Sequence, residues 1–195
     1  ALESATAKEQ ALSTPPPEQL NREIIAVDPQ MKRVFQLATK VAASNITVLV
    51  LGETGSGKEI VAGSIHDRSP RAGKACVRLN CASIPESLLE SELFGHEKGS
   101  FTGASQTKPG LFTVASGGTL FLDEISNISM TTQAKLLRVL QQREVTPIGG
   151  TKAVPIDIRL IAATNRSLEV MVEEGTFRDD LYFRLNIIPV DLPPL

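Results

Sequence analysis

The sequence predicts an α/β protein with a mainly parallel sheet flanked by helices. Three observations carry this. Thr47 to Glu59 reads TVLVLGETGSGKE, a short apolar run followed by a glycine-rich loop and the opening of a helix. Gly118 to Glu124 reads GTLFLDE, a second apolar run with two carboxylates at its C-terminal end. Around these two stretches, strand-like runs alternate with helical periodicity, the pattern of repeated βα units.

The bulk numbers set the frame. A length of 195 residues suits one domain with a tail. Residues 1–21, rich in Ala, Glu, Gln, Ser and Thr and holding Pro15-Pro16-Pro17, read as a linker; residues 22–195 read as the folded core. A net charge of −2 provides no overall basic field for nucleic acid. No apolar run approaches the roughly 18 residues of a membrane span, and no basic-then-apolar leader opens the chain. Cys76 and Cys81 form neither a disulfide framework nor a zinc pattern, so both are expected as reduced thiols of a cytoplasmic protein.

The elements follow in order. Asp28 is a helix cap with Pro29 at the first helical position, and Met31, Val34, Phe35, Ala38, Val41 and Ala42 keep helical spacing. Val48 to Leu51 is a buried strand. The helix opening at Lys58 should end near Ser69-Pro70. Cys76 to Leu79 is a second strand ending at Asn80. Ser83 and Glu86 form a capping box for a helix through Leu88, Leu89 and Leu93.

FGHEKGSFTGASQTKPG, from Phe94 to Gly110, holds four glycines and has no period in its middle. It reads as a loop with Phe101 at its tip. Phe101 either meets a partner there or tucks back into the body. Thr132 to Gln142 is a helix with Ala134, Leu137 and Leu140 inward. Pro147-Ile148-Gly149-Gly150 is a turn or second surface loop. Ile156 to Ala163 is a strand closed by Thr164-Asn165, and Asn186 to Leu192 is the last strand.

The chemistry concentrates at strand ends. Gly52, Glu53, Thr54, Gly55, Ser56, Gly57, Lys58 and Glu59 have the spacing of a phosphate loop. The glycines let backbone N–H groups turn inward, the helix N-terminus adds partial positive charge, and Lys58 would reach the outer phosphates. Glu59 stands where the general pattern has Ser or Thr to hold magnesium. Ligands bind outside the carboxyl ends of parallel strands, so Asp123 and Glu124 should face the same place. Asp123 would hold Mg²⁺, directly or through water, and Glu124 would activate an attacking water. Thr164 and Asn165 either face that crevice or simply cap a turn. Arg178 and Arg184 are six apart and share no simple helical face; local ion pairs with Asp179, Asp180 or Glu174 are one reading of them.

Taken together, GETGSGKE, ESELFGHEKGSFTGA, GGTLFLDEI and FRDDLYFRLN resemble the central AAA+ domain of bacterial enhancer-binding proteins, the sigma-54-dependent activators of the NtrC type. The resemblance runs from about Glu23 to Leu195. It implies an AAA+ P-loop ATPase using ATP and Mg²⁺, with Glu59 as the family's own residue in the phosphate loop. It implies that Asn80 holds the catalytic Glu124 in check, and that Thr164 and Asn165 sense the γ-phosphate. Arg178 and Arg184 would then be arginine fingers reaching the nucleotide of a neighbouring subunit in a ring of six or seven. Gly99, Ser100, Phe101, Thr102, Gly103 and Ala104 would contact the sigma-54 RNA polymerase, with Ser100 and Ala26 standing where the family commonly has Ala and Gly.

A helical lid carrying sensor II, a DNA-binding domain through which alone DNA would be met, and a regulatory domain are implied outside these residues. The competing readings are another P-loop remodelling motor, against which GSFTGA argues, and a non-hydrolysing nucleotide switch, against which Lys58, Asp123, Glu124 and the two Arg argue.

Overall fold

A computed structural model describes residues 28–194; the linker expected over residues 1–21 and the position of Ala26 lie outside them. Helix α1 spans Pro29–Ala42 and starts at Asp28, whose carboxylate accepts from the Gln30 and Met31 N–H groups. It leads to β1 (Val48–Leu51), α2 (Lys58–Asp67), β2 (Cys76–Asn80) and α3 (Glu86–Phe94). A small hairpin, β3 (Gly95–His96) and β4 (Lys108–Pro109), brackets the glycine-rich loop. Then come α4 (Leu111–Val114), β5 (Thr119–Asp123), a 3₁₀ turn (Ile125–Asn127) and α5 (Met130–Gln142). A second hairpin, β6 (Glu144–Val145) and β7 (Val154–Pro155), precedes β8 (Arg159–Thr164), α6 (Leu168–Glu173), α7 (Asp179–Leu185) and β9 (Ile188–Asp191).

The main sheet is parallel throughout, in the order β2-β5-β8-β1-β9. Its three inner strands, β5, β8 and β1, are almost wholly buried and mostly apolar on both faces, as a doubly covered parallel sheet requires. Alternate residues serve opposite layers. Leu49, Leu120, Leu122, Leu160 and Ala162 pack with Leu89, Leu136, Leu140 and Leu185. Val48, Val50, Phe121, Ile161 and Val190 pack with Val34, Ala38, Val61 and Ile65 on the other side. No helix among the described residues is long and apolar enough to cross a membrane.

Four details differ from the sequence expectation. Ser83 does not cap α3: its hydroxyl donates to the Asn80 carbonyl at 2.7 Å, closing a turn after β2, and the helix starts at Pro85 without a side-chain cap. Ala134 is exposed, while Thr132, Gln133, Leu136, Leu137, Val139 and Leu140 are buried, because two polar residues take inward places by hydrogen bonding. The strand read from Ile156 begins at Arg159, and the last strand begins at Ile188. The glycine-rich segment is not all loop. Its hairpin ends cross so closely that a Cβ on Gly110 would lie 2.3 Å from the Gly95 nitrogen.

Among the described residues Arg159 is the largest fully buried side chain, at 0% exposure, in a strand that reads as apolar. Its guanidinium donates to the carbonyls of Ala42 at 2.8 Å and Val41 at 2.9 Å, capping the C-terminal end of α1 where unpaired carbonyls gather. Burial, then the charge of Arg71, lowers its pKa. Arg159→Ala should cost about 3 kcal/mol of stability, since it leaves a cavity and takes from the buried Ala42 carbonyl its donor, while the Val41 carbonyl keeps those of Ser44. Chemical denaturation of the two proteins measures this.

Candidate active site

Strands β5, β8 and β1 lie side by side, so Asp123, Thr164 and the loop after Leu51 meet at one edge of the sheet. The loop turns through Gly55 at φ +86° and Gly57 at φ +91°, a left-handed backbone that glycine adopts without strain. Gly52 donates to the Thr164 carbonyl at 3.2 Å, tying the loop to β8. Lys58 is 5% exposed. Its ammonium donates to the carbonyls of Gly52 and Glu53, both at 3.0 Å, and stands 3.5 Å from Glu124 Oε1. An ammonium has three donors, so two carbonyls fix it while the third faces the carboxylate.

Glu124 itself is nearly buried and holds a left-handed conformation at φ +51°, ψ +48°. A non-glycine residue there is strained, by about 1 kcal/mol or more, and persists because its surroundings hold it. Its Oε2 accepts from the Asn165 N–H at 3.3 Å, and the Asn165 side chain donates to Thr54 Oγ1 at 3.0 Å. Lysine, carboxylate, asparagine and phosphate loop therefore close into one ring of contacts.

Asp123 accepts from the Glu124 N–H at 2.9 Å. Burial raises its pKa; the Glu124 charge also raises it, and the Glu124 hydrogen bond and Lys58 oppose the rise. Cys81, beneath the two carboxylates, has its thiol pushed up to about 12, first by burial and then by their charges, and so stays a neutral thiol. Both cysteines are free. A cleft of about 610 Å³ opens beside this edge, lined in part by Leu51, Gly52, Glu53, Asn165 and Leu192.

Some expected site residues lie elsewhere. Glu59 turns outward and accepts from Arg78 at 2.8 Å. Thr164 is fully buried, its hydroxyl accepting from the Arg166 N–H at 3.0 Å, while Asn165 is exposed; both line the cleft. Asn80 is in register with Asp123, but its side-chain oxygen accepts from the Ala82 N–H at 2.9 Å; Glu124 is held by Lys58 and Asn165 instead. Arg178 makes a two-pronged pair with Asp180 at 2.9 and 2.6 Å, as the local reading had it, and lowers the Asp180 carboxyl pKa. Arg184 donates to the Leu140 carbonyl at 3.2 Å.

The segment Gly99 to Ala104 forms a compact turn, closed by Gly99 N–H to Ala104 carbonyl at 2.8 Å. Phe101 is 39% exposed and rests edge-on against His96, with ring centres 5.0 Å apart. It is thus both tucked and accessible. The second loop docks beneath: Ile148 exchanges backbone hydrogen bonds with Gly95 and Glu97, and Gly149, at φ +75°, abuts Ser100. The Ser100 hydroxyl is buried with no hydrogen-bond partner among the described residues. Gly149-Gly150 signals a turn, but nothing local says which loop it meets.

Residues 24–191 match the family model described as the sigma-54 interaction domain. The Nif-specific regulatory protein of Azotobacter vinelandii is 58% identical over 172 residues, which cover 88% of this chain and 33% of that protein. The crystal structure of NtrX from Brucella abortus in complex with ATP superposes with a TM-score of 0.80 at 40% identity, covering 88% of this chain and 38% of that one. The P-loop NTPase domain of a sigma-54 transport activator from E. coli, at 20% identity and a TM-score of 0.55, shares the fold. The chain thus spans about a third of the length of the regulators it matches.

Proposed function

The chain belongs to the sigma-54 interaction domain family, and from that premise we propose that it is the ATP-hydrolysing AAA+ core of a sigma-54-dependent transcriptional activator. The observation that carries this is the convergence of Lys58, Glu124 and Asn165 beside Asp123 at the phosphate loop. A bare phosphate-binding loop needs only the lysine and glycines. Here a nearly buried carboxylate also faces Lys58 at 3.5 Å, which supports the reading of Glu124 as the base that takes a proton from the attacking water.

In the proposed reaction, backbone N–H groups of the loop and Lys58 bind the β- and γ-phosphates of ATP. Asn165 contacts the γ-phosphate. Glu124 takes a proton from the attacking water, the new P–O bond forms, and the bond to the β-phosphate oxygen breaks to release ADP and phosphate. Mg²⁺ fits this donor set. Asp123 is a hard oxygen ligand whose ionised form is disfavoured by burial, and a bound cation would favour it. No cluster of three or more His, Cys, Asp or Glu among the described residues could hold a metal alone, so phosphate oxygens and water would complete its shell. The ion would supply charge neutralisation on the triphosphate.

Hydrolysis is coupled to the loop at Phe101, which contacts sigma-54 and remodels the polymerase closed complex. An aromatic ring held at a loop tip on a glycine frame supports that reading. The protein works as a cytoplasmic homo-oligomeric ring, with Arg178 and Arg184 serving the neighbour's site. DNA is met through a domain outside these residues. Phe101→Ala should weaken sigma-54 binding at least about tenfold, as loss of an aromatic anchor does, while phosphate release continues. Retained binding in a pull-down would instead favour another P-loop remodelling motor.

A further inference from the structure

Gln133 is completely buried, and no role at the crevice requires it. Both ends of its amide are hydrogen-bonded. The nitrogen donates to the carbonyls of Ile128 at 3.0 Å and Thr176 at 3.1 Å, and the oxygen accepts from the Arg178 N–H at 2.8 Å. Two acceptors and one donor around one amide fix its orientation without ambiguity. Ile128 closes the 3₁₀ turn that follows Glu124. Thr176 and Arg178 open α7, whose first residue has no side-chain cap of its own. One buried amide therefore bridges the segment that carries the carboxylate and the residue that carries Arg178.

The same helix holds the second arginine. Leu140, seven residues along α5 from Gln133 and so on the same face, accepts from Arg184. Helix α5 thus begins just after Glu124 and anchors both arginines along its length.

We propose that Gln133 is a positioning residue for Arg178, holding its backbone against α5 so that the guanidinium is presented to a neighbouring subunit's nucleotide. This rests on the reading of Arg178 as a group that acts on a neighbour. Burial makes the contact stiff: breaking it strands one N–H and two carbonyls, and a displacement of about 1 Å at a reacting group costs on the order of a hundredfold in rate.

Pairwise mixtures of full-length variants test it, with phosphate release as the readout. Glu124→Gln mixed with Arg178→Ala reports on the underlying reading, since each is inactive alone and the mixture should recover. Failure of that control removes the assignment of Arg178 and, with it, that of Gln133. Given recovery, Gln133→Met alone should release phosphate about a hundredfold more slowly.

Mixed with Glu124→Gln, Gln133→Met should recover, because its intact Glu124 then meets a well-held Arg178 from its neighbour. Mixed with Arg178→Ala, it should stay inactive. The opposite pattern would place the effect on the Ile128 side and overturn the proposal. Recovery with neither partner, in a variant that still binds a fluorescent ATP analogue, would also overturn it. Should Gln133→Met lose nucleotide binding altogether, Gln133→Asn, whose amide is one methylene shorter and draws back from the Arg178 N–H, takes the same two mixtures with the same expectations.

Discussion

Glu124→Gln should abolish ATP turnover while nucleotide still binds. The substitution keeps the size and shape of a side chain that is nearly buried, and Lys58 remains fixed by the Gly52 and Glu53 carbonyls. The amide cannot accept the proton that a carboxylate takes from water. Loss of a general base lowers a rate by about 10²–10⁴-fold. Binding should change far less, and in the direction of tighter association, because one negative charge facing the triphosphate disappears. Steady-state phosphate release beside titration with a fluorescent ATP analogue separates the two. Turnover within a few-fold of the parent would mean that Glu124 is not the base and that its strained backbone serves some other end. Weakened binding with proportionate loss of turnover would mean that the Lys58–Glu124 contact shapes the loop.

What the sequence reveals of this site depends on how local each piece is. The phosphate loop and the Asp123-Glu124 pair are legible because strand, glycines, lysine and carboxylates are contiguous, and short-range chemistry dictates each one. Glu124 could be named as a base, but not its left-handed backbone or its grip on Asn165, which depends on a strand 41 positions away. Thr54 and Asn165 are 111 positions apart, and no periodicity links them.

Arg159 escapes notice for a different reason. A strand is read from its apolar neighbours, and a buried cation that caps a helix 117 positions earlier looks like a break in the pattern. Gln133 misleads in the same way. Apolar spacing phases α5 on Ala134, whereas hydrogen bonding brings Gln133 inside and leaves Ala134 in solvent. Buried polar groups satisfied over long range are invisible to counting rules, and here they tie the backbones of separate elements together.

Arg178→Ala and Arg184→Ala should each silence hydrolysis by about 10³–10⁵-fold, the effect of an arginine that stabilises charge on a transferring phosphoryl group. Within one chain these arginines bind Asp180 and the Leu140 carbonyl, not the crevice. Phe183, between them in sequence, is 72% exposed. If the arginines were merely local braces, their loss would cost stability and leave the rate per folded molecule unchanged.

Mixing distinguishes these cases. Glu124→Gln carries sound arginines and Arg178→Ala carries a sound base. In an equal mixture, half of the sites have the base and half of the neighbours have the arginine, so about a quarter of the interfaces should be competent. Phosphate release should rise from near zero in either pure variant to a maximum at equal proportions. A rate that never exceeds the weighted sum of the two pure variants would mean that each arginine acts within its own chain, and the catalytic unit would then be one subunit rather than the boundary between two.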